Sequence, residues 1–159
     1  MRTADGEPWV ARAVGLVRAA GCDRVLVMLG AAAAEATALV PASTDVIVVQ
    51  NWADGMAESL RQALAAATGD AVVITLVDLP DLPLAVMTRV LRESIDDNTL
   101  TQAVFGGRSG HPVLIGRCHW AAVSASLKGD RGARDYLVAH GAREVECGDL
   151  FDGHDVDRL

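Results

Sequence analysis

Residues 71–83 read Ala-Val-Val-Ile-Thr-Leu-Val-Asp-Leu-Pro-Asp-Leu-Pro. The first seven are apolar nearly throughout and rich in Val and Ile. A run of strand length with no polar alternation predicts a strand covered on both faces, as in a parallel sheet. It stops at Asp78, and the prolines that follow cannot extend it. Two runs upstream, Arg24–Leu29 and Asp45–Val49, have the same character. Between the runs the apolar residues change to helical spacing. Trp9–Ala20 places Val10, Ala13, Val14 and Val17 on one stripe, and Gly55–Ala67 does so with Met56, Leu60, Ala63 and Leu64. Leu84–Ile95 repeats it with Val86, Val90 and Leu91. Gly21 and Gly69 stand where helices end.

The order αβαβαβα predicts an α/β fold: a Rossmann-like, three-layer α/β/α sandwich with right-handed crossovers. A doubly wound sheet normally opens on a strand. This one opens on a helix, so its first strand is missing from the pattern. In the second half, Thr101–Phe105 and Val113–Ile115 flank an expected loop, Gly106–Pro112. That is a hairpin or strand-loop-strand, so the mostly parallel sheet becomes mixed. A helix over about 133–140, a short strand at 143–147 and an irregular acidic tail complete the chain.

The totals narrow the function. A chain of 159 residues with 51% apolar composition fits a single domain over 1–159 with a real core. The net charge of -7 disfavours nucleic acid as a partner. A small anionic ligand remains compatible, because helix amino ends or a metal ion supply local positive potential. Cys22, Cys118 and Cys147 have neither metal nor redox spacing. No apolar run is long enough to span a membrane, and none reads as a signal peptide. A reducing, cytoplasmic compartment is the expectation.

In open α/β sheets ligands bind beyond the carboxyl ends of the strands. Asp78 is at such an end, and carboxylate, water and phosphate oxygens are what Mg²⁺ takes. The structural alternative is a turn or helix cap. Asp81 reads as the cap of the next helix, with Pro83 in its first turn. Asn51 and Trp52 follow the strand at 45–49 in the same topological place. Asn51 offers hydrogen bonds and Trp52 a stacking face, or both belong to an exposed turn with Asp54 as a cap. Ser59 lies one turn into the next helix. The segment Gly106-Gly107-Arg108-Ser109-Gly110-His111-Pro112 brings a cation and an imidazole among glycines, although a plain hairpin also uses glycines. Gly129-Asp130-Arg131-Gly132-Ala133-Arg134 is either an anion site or a charged helix start. Asp155 and Asp157 form a terminal carboxylate pair, of a kind that is often only solvated.

Each of these is weak alone, but their order is specific. Asn51-Trp52…Gly55-Met56…Ser59-Leu60, Asp78-Leu79-Pro80, Gly110-His111-Pro112-Val113, Gly129-Asp130-x-Gly132-Ala133-Arg134 and Asp155-Val156-Asp157 follow one another along the chain. This succession, with Asp5-Gly6-Glu7-Pro8 before the first helix, resembles the MobA-like nucleotidyltransferases. It is most similar to the branch that acts as molybdenum-cofactor cytidylyltransferases. The resemblance implies transfer of a nucleoside monophosphate from an NTP (CTP or GTP) to the phosphate of molybdopterin. It implies Mg²⁺ held by Asp78 together with Asp155 or Asp157, and Asp78 as the catalytic residue. It implies substrate contacts from Asn51, Trp52, Ser59, Gly110, His111, Pro112, Asp130 and Arg134. The family's opening strand and its Gly-rich loop, of the type Leu-Ala-Ala-Gly-x-Ser-x-Arg-Met-Gly-x-x-Lys, have no counterpart in this sequence. The resemblance therefore carries the expectation that the reading frame continues ahead of Met1. Two alternatives stay open: an inactive family member that binds molybdopterin or a protein partner, and another cytidylyltransferase of the same fold. An uncovered sheet edge is expected to favour a homo-oligomer or a partner chain.

Overall fold

The computed structural model describes residues 1–156. The chain opens with helix α1 (Trp9–Ala19), strand β1 (Leu26–Leu29), a short helix α2 (Ala33–Thr37) and strand β2 (Asp45–Val48). Helix α3 (Met56–Ala66), strand β3 (Ala71–Ile74) and helix α4 (Leu84–Val90) follow. The second half contains β4 (Leu100–Phe105), β5 (Arg108–Gly116), α5 (Trp120–Ser126), α6 (Arg134–Ala139) and β6 (Arg143–Glu146).

The architecture is the expected mixed α/β sandwich. β1 and β2 pair in parallel, Val27 opposite Val46. A four-stranded sheet has the order β3-β5-β4-β6. There β3 and β4 are antiparallel to β5, while β4 and β6 are parallel. Among the described residues no ladder joins the two sheets. They are held by their helices and by Arg24, just before β1. Arg24 pairs with Asp45 at 2.8 Å and donates to the Ala66 carbonyl at 2.8 Å, at the end of α3. The amino ends of β1, β2 and β3 therefore lie side by side.

Alternation along the strands builds two cores. Ala71, Val73, Ala103 and Leu114 face the α1/α4 layer with Val17, Val86, Met87 and Val90. Val72, Ile74, Val113 and Ile115 face the other layer, with Leu64, Val123 and Leu137 from α3, α5 and α6. Every residue of β3 is only half-buried, although the run is apolar throughout. The reason is lateral: one edge of β3 has no neighbouring strand.

Four expectations need correction. The loop expected over 106–112 is only the two-residue turn Gly106-Gly107, with φ of 58° and 76°. Two left-handed residues match the twist of a tight hairpin, so Arg108–Pro112 continue as strand. Helix α4 ends at Val90 rather than Ile95, because Asp96, Asn98 and Thr99 close a hydrogen-bonded turn that draws the chain into β4. Its amino end is Pro83, with no side-chain cap, so Asp81 does not cap it. Nor does Asp54 cap α3, whose amino end is Gly55 with no cap from its own side chain. Among the described residues no helix is long and apolar enough to cross a membrane.

Candidate active site

The segment that follows β3 meets the start of α6 and the middle of β5 in one cavity, whose lining does not include Asn51 or Trp52. Trp52 opens a 3-10 turn after β2 and stays half exposed, with its Cβ packed against Gly30 at the end of β1. A Cβ at Gly30 would lie 2.7 Å from that of Trp52, so the close approach needs glycine. The indole is left with surface available to a planar ligand. Asn51 is turned towards α3 instead: its Oδ1 accepts a bond from Gln62 at 3.1 Å, and Gln62 also bonds Glu58. These bonds hold the Glu58 carboxyl below its ordinary range.

The amino end of α3 is tied to the loop before α6. Ala57 N–H donates to the Gly129 carbonyl at 2.9 Å, and Met56 N–H to Asp130 Oδ1 at 3.4 Å. Asp130 thus caps a helix more than 70 residues earlier in the chain. Gly55 makes the contact feasible, with φ of 109° and space that a Cβ would lose to the Gly129 backbone at 2.5 Å. Neither sequence reading of Asp130, as anion ligand or as part of its own helix start, anticipated this long-range cap.

On the other wall, Gly110 packs beneath the Phe105 ring and its carbonyl accepts from Gln102 at 3.4 Å. Pro112 is fully buried. His111 lines the cavity, and burial pushes its imidazole down to about 4. It is therefore neutral at pH 7 and presents one donor and one acceptor nitrogen. Arg134 is exposed at the start of α6 and forms no ion pair among the described residues. Its guanidinium is free to take an anion.

A cavity of about 1180 Å³ gathers Ser59, Gly110, His111, Asp130 and Arg134. Thr75, just past β3, joins them. Its buried hydroxyl has no hydrogen-bond partner among the described residues. Sequence reasoning passed over it, although it is the one polar residue in the apolar run 71–77 and that was the available signal.

Asp78 lies just past the carboxyl end of β3 with its Oδ1 buried. The tail returns to it, and Val156 N–H donates to the Asp78 carbonyl at 2.9 Å. The tail backbone is thereby brought to Asp78; Asp155 directly precedes the bonded Val156 and is exposed, and Asp157 lies outside the described residues. No cluster of three or more carboxylate, His or Cys ligands occurs among the described residues. The donors present still suit one metal. Mg²⁺ is commonly held by one or two carboxylates and completes its shell with water and substrate phosphate.

Residues 1–145 match the model of the MobA-like NTP transferase domain. The chain belongs to this family. Nicotine blue oxidoreductase from Paenarthrobacter nicotinovorans is 31% identical over 150 residues, covering 87% of this chain and 73% of that protein. Rv0371c from Mycobacterium tuberculosis has a crystal structure that superposes with a TM-score of 0.73 at 28% identity, over 87% of this chain and 73% of its own. A second Rv0371c structure, a complex with manganese, gives 0.72 at 27%, over 87% and 76%. A nucleotidyl transferase from Methanothermobacter superposes at 0.76 with 23% identity, over 91% of this chain and 72% of its own, and supports the fold. A MobA-like member is a nucleotidyltransferase by family, and a divalent metal occurs in one relative's structure.

Proposed function

We propose that this chain provides the acceptor site and metal carboxylates for transfer of CMP from CTP to molybdopterin, with Mg²⁺ as the cofactor. The observation that supports it is the return of the tail to Asp78, through the Val156 N–H, beside a cavity lined by His111 and Arg134. In the reaction an oxygen of the acceptor phosphate attacks the α-phosphorus of the NTP. That P–O bond forms as the bond to the bridging oxygen breaks, and pyrophosphate leaves with the bonding pair. Positioning and charge neutralisation do most of this work.

The geometry supports these roles. Asp78 and Asp155, or Asp157, would hold Mg²⁺, which would neutralise phosphate charge. Arg134 takes the acceptor phosphate, and neutral His111 and Ser59 fix polar edges of the pterin. Trp52 stacks on a ring, either base or pterin. Gly110 and Pro112 shape the wall. Asn51 and Asp130 act by positioning, the first through Gln62 and the second by locking α3 to the α6 loop.

The test is fluorescence titration of the 159-residue chain with molybdopterin, read from its tryptophans. Binding is expected, and Arg134→Ala should weaken it at least tenfold. Saturable binding that is indifferent to Arg134 refutes the placement of the acceptor. The 31% identity to nicotine blue oxidoreductase favours a second reading, oxidoreduction of nicotine blue. Turnover of nicotine blue by the chain with a nicotinamide hydride donor, and without any NTP, would select that reading.

A further inference from the structure

The tail crosses the whole four-stranded sheet before it meets Asp78. It leaves β6 at one edge and reaches Asp78 beyond β3 at the other, so it passes over the ends of β4 and β5. The tip of the hairpin formed by those two strands carries it across. Glu146, the last residue of β6, accepts bonds from Gly106 and Gly107 of the turn at 2.9 and 3.3 Å and from Gly148 of the tail at 2.7 Å. Phe151 meets Phe105 edge-on, with ring centroids 5.7 Å apart. Gly153 lies against the same ring, where a Cβ would approach to 2.5 Å, and its φ of 75° suits glycine. Arg108 makes the last of these joints: its guanidinium donates to the Asp152 carbonyl at 3.0 Å.

Arg108 is therefore directed at the tail and is not among the residues that line the cavity with His111 and Arg134. Its bond fixes the tail at Asp152, and the Val156 N–H fixes it again at the Asp78 carbonyl. Asp155 stands between these two points, directly before the second. A carboxylate on a segment held at both ends has few positions to choose from. Mg²⁺ demands near-octahedral geometry, so a metal carboxylate gains from that restriction. We propose, on the reading of Asp78 and Asp155 as metal carboxylates, that Arg108 is a positioning residue for the divalent cation: its bond to the Asp152 carbonyl sets where the tail presents Asp155. Positioning and plain charge predict opposite effects. By charge alone, loss of a nearby guanidinium favours cation binding. By positioning, the same loss weakens it.

The probe is Mn²⁺ alone, added to the 159-residue chain without nucleotide, with free Mn²⁺ counted by electron paramagnetic resonance. Asp78→Asn and Asp155→Asn should each weaken binding. Arg108→Gln should weaken it about tenfold, as loss of a group that orients a metal ligand commonly does. Added to Asp155→Asn, it should change little further, because both act through one carboxylate. Arg108→Lys keeps a cationic donor for the single bond and should recover most of the affinity. Arg108 is exposed, so these variants should keep the wild-type melting temperature. Amide exchange over residues 150–156, read by mass spectrometry without metal, should be faster in Arg108→Gln than in the wild type. Unchanged exchange there, or Mn²⁺ binding that is equal or tighter in Arg108→Gln, overturns the proposal. So does a weakening that adds in full to that of Asp155→Asn. Mn²⁺ binding indifferent to Asp78→Asn is a different failure: the metal reading itself falls, and the role of Arg108 falls with it even where exchange shows that it holds the tail.

Discussion

The His111 imidazole makes stability depend on pH in a window where few other side chains titrate. Its folded value is about 4, against 6.5 for a free imidazole, and the cause is burial. Between these values the unfolded chain binds a proton that the folded chain refuses. Unfolding then takes up protons, and stability falls as pH falls. The contribution is absent well above pH 6.5 and complete below about pH 4. Linkage over this interval gives a loss of about 2 kcal/mol between pH 7 and pH 5. The carboxylates held low by hydrogen bonds, Glu58, Glu146 and Asp149, lose their contributions only as pH falls below their ordinary values towards the lowered folded ones. A His111→Gln variant keeps a polar side chain that does not titrate. Urea unfolding of both proteins at pH 7, 6 and 5 isolates the imidazole, because the remaining groups cancel in the difference. The wild type should lose about 2 kcal/mol more than the variant over this range. Equal losses in the two proteins would show that the imidazole takes up its proton without unfolding, and the assignment of a dry, neutral His111 would fail.

Three further outcomes follow from named contacts. Asp78→Asn, placed in a chain that also carries the Gly-rich loop, should abolish transfer at saturating Mg²⁺ and shift the melting temperature little; near wild-type turnover returns Asp78 to a structural role. Gly55→Ala puts a Cβ within 2.5 Å of the Gly129 backbone at a φ of 109°; chemical denaturation should show a loss of about 2 kcal/mol or more, and a loss below half that would refute the close packing. Asp130→Ala should cost about 1 kcal/mol by removing the cap on α3, with Asp130→Asn recovering most of it; equal effects from the two substitutions would exclude a capping role.

How far the sequence carried the reading depended on whether each signal was local. The apolar runs at 24–29, 45–49 and 71–77 located β1, β2 and β3, since burial on two faces leaves a plain compositional mark. The helical stripe of Val10, Val14 and Val17 located α1 for the same reason. The hairpin was misjudged because Gly106-Gly107 was read with the polar residues after it, although two glycines alone complete the turn. Helix α5 left little trace: Trp-Ala-Ala-Val-Ser-Ala-Ser has Val123 as its one fully buried residue. The site divides in the same way. The place of Asp78 beyond β3 was legible because the apolar run stops there. The cap supplied by Asp130 to α3 was not, because its two partners are 74 residues apart. The gap between β1 and β3 was legible as an order of elements that opens on a helix, but its walls and volume follow only from the packed layers.

The crevice loops are joined mainly through their backbones, and this bears on how the site can be tested. Gly129 carbonyl to Ala57 N–H, and Asp78 carbonyl to Val156 N–H, clip four segments together in two pairs without using the side chains assigned to chemistry. At Gly30 the contact takes in the Trp52 Cβ and the near edge of the indole, while about half of the side chain stays exposed. The side chains of His111, Ser59 and Arg134 project from a frame that does not depend on them. Substitutions at Arg134 should therefore change affinity with little change in stability. Substitutions at Gly55 or Asp130 should lower stability first and affinity as a consequence. Measuring both quantities for Arg134→Ala and Asp130→Ala separates a ligand contact from a positioning contact. A parallel fall of both quantities in Arg134→Ala would place that residue in the frame and would move the anion site elsewhere in the crevice.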